Sequence, residues 1–255
     1  MTPALSLAGL SKSFGSKRAV DNLTLDVRRG CMFAMVGPNG AGKTTTLSMA
    51  TGLLRPDAGT AMVLDHDVWR NPPAAKALMG VLLDGLRLFD LSGSELLRYV
   101  GLLRQVPPED IASRSDELFD ALSLREAADT LVVEYSAGMT KKIGLACALI
   151  HAPRLLILDE PFESIDPVSG EAIRSILRNY ARAGGTVVMS SHVMELVESL
   201  CDELAVVAKG RVLTAGTLDQ VRAGSTLQQR FLELVGFRAA GEEALSWLRS
   251  SSASS

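Results

Sequence analysis

Hydrophobic positions change period several times along the chain, and each change marks an element. Leu5 and Leu7 alternate with Ser6 and Ala8, and Leu23, Leu25 and Val27 alternate with Thr24 and Asp26, the period of half-buried strands. Gly15-Ser16-Lys17 reads as the loop between them, so a β-meander is expected near the N-terminus, with Phe14 closing the first strand. Cys31 to Val36 is an apolar run that reads as a strand, and Leu155 to Leu158 and Thr186 to Met189 are apolar without alternation, which suits strands of a parallel sheet buried on both faces. Elsewhere the spacing is helical. Glu95 to Leu103 carries it, Pro107-Pro108 interrupts it, and Asp116 to Leu124 resumes it with Leu118, Phe119 and Leu122 on one face. Asp166-Pro167 reads as an N-cap and first helical residue, with Ile173, Ile176, Leu177, Tyr180 and Ala181 as the buried stripe and Gly184-Gly185 as the stop. Val193, Leu196, Val197, Leu200 and Cys201 repeat the spacing, and Leu204 to Ala208, Lys209-Gly210 and Arg211 to Ala215 read as a hairpin. Arg55 to Thr60 and Pro72-Pro73 are turn clusters.

Strands alternating with helices predict an α/β fold: a mixed sheet with flanking helices, an antiparallel β portion at the N-terminus and a helical insertion at about residues 84–140. After Val221, Leu227, Phe231, Leu232, Leu234 and Val235 suggest one more amphipathic helix, ended by Gly236. Glu242 to Leu248 reads as a short helical piece, and Ser250 to Ser255 as a disordered end.

The 255 residues are 47% hydrophobic and 22% charged, ample for a large core and against disorder. A formal net charge of -3 argues against a broad nucleic-acid footprint, and no nucleic acid is expected as a partner. Cys31, Cys147 and Cys201 are odd in number and far apart, so reduced buried thiols in a cytoplasmic setting are the reading. Residues 1–9 lack the basic and apolar regions of a secretory leader, and no run reaches the ~18 apolar residues of a membrane span.

The chemistry starts at Gly37-Pro38-Asn39-Gly40-Ala41-Gly42-Lys43-Thr44-Thr45, which follows a buried-type strand and opens a segment without Pro until Pro56. In that context G-x-x-x-x-G-K-T is a phosphate cradle: the glycines let successive N–H groups turn inward, and the new helix adds its positive dipole end. Lys43 would reach the β- and γ-phosphates and the Thr44 hydroxyl would ligate Mg²⁺, so a nucleoside triphosphate is the leading ligand. Leu155 to Leu158 ends in Asp159-Glu160, two carboxylates at the end of a sheet strand where open α/β sheets bind ligands. Asp159 then suits the Mg²⁺ shell, and Glu160 suits polarising a water toward the γ-phosphate. His192 follows the strand of Thr186 to Ser191 and is expected at the γ-phosphate; His66 and His151 have no such setting. Phe14 can stack on a purine, although an aromatic at a strand end is more often core.

Taken in order, Phe14, the Gly37 to Thr45 loop, Tyr135-Ser136-Ala137-Gly138-Met139 before a helix, Leu155 to Glu160, Ser164-Ile165-Asp166 and His192 resemble the ATP-binding subunits of ABC transporters. The resemblance covers about residues 4–222, an ATP-binding domain, with 223–255 as a C-terminal extension, and is strongest to the separate ATPase subunits of bacterial exporters. It implies ATP and Mg²⁺ as cofactors and a head-to-tail homodimer, or a heterodimer with a related ATPase subunit. It also implies a membrane-spanning permease chain that holds this one at the inner face of the cell membrane. Phe14 would stack on adenine, and Ser136 and Gly138 would meet the γ-phosphate bound to the other subunit. Two departures stand out. Tyr135, Ala137 and Met139 replace Leu, Gly and Gln of the usual Leu-Ser-Gly-Gly-Gln, and Asp84 stands where the family usually has a Gln near Mg²⁺. Asp can ligate Mg²⁺ but cannot donate an amide hydrogen bond. A soluble ATPase of the same type, and a weakly hydrolysing dimerisation switch, remain alternatives to the exporter reading.

Overall fold

The computed structural model describes residues 2–83 and 90–236. Strand β1 (Leu5–Phe14) pairs antiparallel with β2 (Lys17–Val27), with Leu5 opposite Val27 and Phe14 opposite Lys17. The expected meander stops at this hairpin. The next strand, β3 (Met32–Val36), leaves for a second sheet because all of its residues are buried and need cover on both faces. The place beside β1 is taken by β4 (Ala58–Val63), which draws half of the expected Arg55 to Thr60 turn into a strand, and β5 (His66–Asp67) completes this sheet in the order β2-β1-β4-β5.

Between the two sheets runs α1 (Lys43–Ala50), and α2 (Pro72–Ala77) leads to β6 (Met79–Leu82). Helices α3 (Gly93–Leu103), α4 (Pro108–Ala121) and α5 (Ala137–Leu149), with 3₁₀ turns at Arg125–Ala127 and Val132–Glu134, then precede β7 (Leu155–Leu158). Ser92 and Glu95 cap α3 reciprocally, satisfying two otherwise orphaned backbone donors. The chain continues through α6 (Pro167–Arg182), β8 (Thr186–Ser191), α7 (Met194–Leu200), β9 (Glu203–Ala208), β10 (Arg211–Thr217), α8 (Leu218–Arg222) and α9 (Leu227–Val235). As the sequence suggested, Asp166 caps α6, accepting from Val168 N–H and Ser169 N–H, and Gly236 ends α9 at φ 71°.

The second sheet has the order β10-β9-β3-β8-β7-β6, parallel except for β10. Its strands separate two apolar layers. Met32, Ala34 and Val36 pack with the helices of one face, Leu145, Ile173 and Leu177 among them, while Phe33 and Met35 pack with Leu7, Val20 and Leu47 on the other. With both faces covered, β7 and β8 are buried throughout, which accounts for their unbroken apolar sequence. Val36 pairs with Ser191 and Leu158 with Met189, so the carboxyl ends of β3, β7 and β8 emerge side by side. That edge holds the site.

Candidate nucleotide site

Residues 37–42 turn sharply between β3 and α1. Gly37 lies so close to β9 that a Cβ would sit 2.2 Å from the Val207 carbonyl oxygen. Gly40 and Gly42 have φ of 78° and 103°, the left-handed region that other residues enter at a cost. Gly42 is the N-cap of α1, and the Lys43 ammonium folds back to donate to the Gly37 carbonyl at 2.7 Å. The result is a helix N-terminus opening onto a concave turn with a buried cation beside it, the electrostatics of an anion site.

The acid pair sits opposite. Asp159 is fully buried; its Oδ1 accepts from the Ser190 hydroxyl, and its Oδ2 has no hydrogen-bond partner. Glu160 has φ 45°, a conformation that costs a residue with a Cβ about 1–2 kcal/mol. Its carboxylate lies 3.0 Å from His192 Nδ1 and 3.7 Å from Lys43 Nζ. These groups share a cavity of about 520 Å³ with Phe14, Asn39, Gly40, Ala41, Gly42, Thr44 and Thr45. Phe14 is 52% exposed at its edge, so it is not a core aromatic. A buried, unpartnered carboxylate oxygen on Asp159 and a hydroxyl on Thr44, two residues that line the same cavity, are hard oxygen donors, which fits Mg²⁺ held jointly with phosphates.

A family model described as ABC transporter matches residues 20–163. The daunorubicin/doxorubicin resistance ATP-binding protein DrrA of Streptomyces peucetius is 36% identical over 248 residues, covering 96% of this chain and 75% of that protein. The chain belongs to the ABC transporter family. It is an ATP-binding subunit and an ATPase, and this membership implies a membrane partner. The Nod factor export ATP-binding protein I of Ralstonia nicotianae is 38% identical over 217 residues, 84% of this chain and 67% of that protein. A solved ATP-binding subunit of an ABC transporter superposes with a TM-score of 0.85 at 27% identity, over 91% of this chain and 99% of that one. Among the described residues no helix is long and apolar enough to cross a membrane.

Within one copy of this ABC subunit the expected contacts at Ser136 and Gly138 lie away from the cavity. Ser136 caps α5, accepting from Met139 N–H, and a Cβ on Gly138 would fall 2.8 Å from the Ser164 carbonyl oxygen. The departure at Tyr135 has a local reason: its ring is buried and its hydroxyl donates to the Ala127 carbonyl at 2.6 Å, in space left by Gly93. Asp84 and the segment from Glu242 to Ser255 lie outside the described residues. The sequence reading did not single out Lys17, Ala19 and Glu163, which line the cavity, nor the hydroxyl of Ser190. Lys17 and Ala19 follow Phe14 too closely to carry a periodic mark of their own, while Ser190 was visible as a polar residue ending a buried run. His151 Nε2 lies 3.1 Å from the Met79 carbonyl oxygen, and burial first, then Arg104 and Arg114, push its pKa down to about 4, so it stays neutral far from the chemistry. Burial pushes the Cys31 and Cys147 thiols up to about 12, which makes them inert.

Proposed function

We propose that this chain hydrolyses ATP to drive a separate membrane-spanning exporter chain. The observation that carries the hydrolytic part is the Glu160 carboxylate, held between His192 and Lys43 at the open end of the phosphate cradle. The relatives' names, one for drug resistance and one for Nod factor export, support the export reading. The residues divide the work. The loop from Gly37 to Thr45 and Lys43 bind the phosphates, with Pro38, Asn39 and Ala41 shaping its turn, and Phe14 stacks on the base. Glu160 orients a water for in-line attack and His192, hydrogen-bonded to it, holds the γ-phosphate end of the site. Thr44 and Asp159 would hold Mg²⁺, which when bound neutralises charge on the β- and γ-phosphates. Asp84 keeps its sequence-based assignment beside the metal.

Two copies would meet head to tail, with Ser136 and Gly138 of each closing the cavity of the other; a related ATPase subunit in place of the second copy is the heterodimeric version. Residues 1–222 form the ATP-binding domain, with residues 84–140 as its helical insertion, and 223–255 the extension. The permease partner would hold the assembly at the cytoplasmic face of the membrane. The test is Mg²⁺-dependent phosphate release by the wild type and by Glu160→Gln, with size-exclusion chromatography of both in ATP. The mutant should lose at least about 10²-fold in turnover and elute as an ATP-bound dimer. Equal turnover in the two chains, or no nucleotide-dependent change in elution of either, would count against the reading.

A further inference from the structure

We infer that Ser190 is a positioning residue that sets both the metal-ligand orientation of Asp159 and the backbone of Glu160. Leu158 pairs with Met189, so the next residues along these parallel strands, Asp159 and Ser190, stand side by side. Ser190 is completely buried, and its hydroxyl accepts from Glu160 N–H at 2.9 Å while donating to Asp159 Oδ1. A hydroxyl has one proton, so the direction is fixed: with Glu160 N–H donating in, the Ser190 proton points at the carboxylate. An aspartate's terminal torsion is otherwise broad. By taking Oδ1, Ser190 fixes the carboxylate plane and leaves the unpartnered Oδ2 as the oxygen presented to a cation. This is how hydrogen-bonded carboxylates behave at metal sites, where outer partners orient the ligand.

The other end of the relay concerns Glu160. Its φ of 45° has to be held against relaxation, and the bond from its N–H to the buried Ser190 oxygen does so. One side chain therefore ties the metal-facing acid to the water-facing acid, and the relay strengthens each bond by polarisation. The inference rests on the proposed Mg²⁺–ATP reading of the site.

The test is Mn²⁺ binding by the full chain in the presence of ATP, followed by electron paramagnetic resonance, for the wild type, Ser190→Ala and Ser190→Cys. The cysteine variant nearly preserves volume but is a weak donor, so it decides the matter if the alanine variant fails to fold. ATP binding in EDTA serves as the control for a merely structural effect. The half-saturating Mn²⁺ concentration should rise about 10-fold or more, with ATP binding in EDTA unchanged. Wild-type half-saturation in a folded variant, or an equal loss of binding in EDTA, overturns the inference while leaving the ATPase reading standing. A wild type whose ATP binding ignores Mn²⁺ overturns both.

Discussion

The three loop glycines separate two physical effects that are usually confounded, and alanine substitution at each gives an ordered outcome. At Gly40 the φ of 78° is the whole problem, because nothing lies within 4 Å of an added Cβ. Left-handed strain of about 1–2 kcal/mol is partly offset by the ~0.4–1 kcal/mol gained from a stiffer unfolded chain. At Gly42 the φ of 103° adds the same strain, and the Cβ would also stand 2.5 Å from the Ala19 carbonyl oxygen and 3.4 Å from Gly210 Cα. Ala19 belongs to β2 and the Gly210 carbonyl accepts from Asp21 N–H, so neither neighbour is the free end of a side chain. Overpacking of this kind costs about 1–3 kcal/mol more. At Gly37 φ lies outside the left-handed region and only contacts remain, with the Val207 carbonyl oxygen at 2.2 Å and the Ala41 Cβ at 3.0 Å. At roughly 2–4 °C per kcal/mol for a chain of this size, Gly40→Ala should lower the melting temperature by a few degrees at most. Gly42→Ala should melt well below it. Calorimetry of the three variants, with ATP titrations of the folded ones, reads both effects. A Gly42→Ala protein that melts at or above Gly40→Ala would refute the reasoning.

Other outcomes follow from single contacts. Phe14→Ala removes a half-exposed ring from the rim of the cavity; base stacking of about 1–3 kcal/mol corresponds to a rise in the ATP dissociation constant of roughly 5- to 150-fold. Inorganic triphosphate should bind unchanged in the same titration, and equal losses for the two ligands would exclude stacking. The Asp166 carboxyl is held below the usual carboxylate range, first by its hydrogen bonds at Ser169. Its stabilisation is therefore present above the unfolded value near 3.9 and is lost as the pH falls through the folded value. Asp166→Ala should melt below the wild type at pH 7, and the gap should narrow as the pH falls through the lowered folded-state value and close once the carboxyl is protonated in both states; a gap that persists in melts at that acid end would show that the carboxylate charge is not its source.

Local chemistry that needs only near neighbours was legible in the chain. The N-cap at Asp166, the stop at Gly236 and the loop from Gly37 to Thr45 all rest on residues within a few positions of one another, so spacing alone displayed them. The unbroken apolar runs of β7 and β8 likewise announced strands covered on both faces. Sheet membership was not legible. The unbroken apolar run of Met32 to Val36 asks for cover on both faces, but nothing in it says that its neighbours are β8 and β9, because strand partners are chosen by which faces remain to be covered once the chain has collapsed.

For the same reason the sequence determined which residue types could do phosphate chemistry, while the tertiary structure decided which of them share a site. Lys43, Glu160 and His192 are far apart in the chain and come within hydrogen-bond or ion-pair distance because β3, β8 and β7 are adjacent and parallel. Ser190 shows the division most clearly. As a residue type it is a small polar group at the end of a buried strand; its hydroxyl becomes the link between Asp159 and Glu160 because the register of β7 against β8 sets it beside them. A hydroxyl buried without such partners would be a liability of about 1–3 kcal/mol, and the pairing of two strands turns it into part of the site.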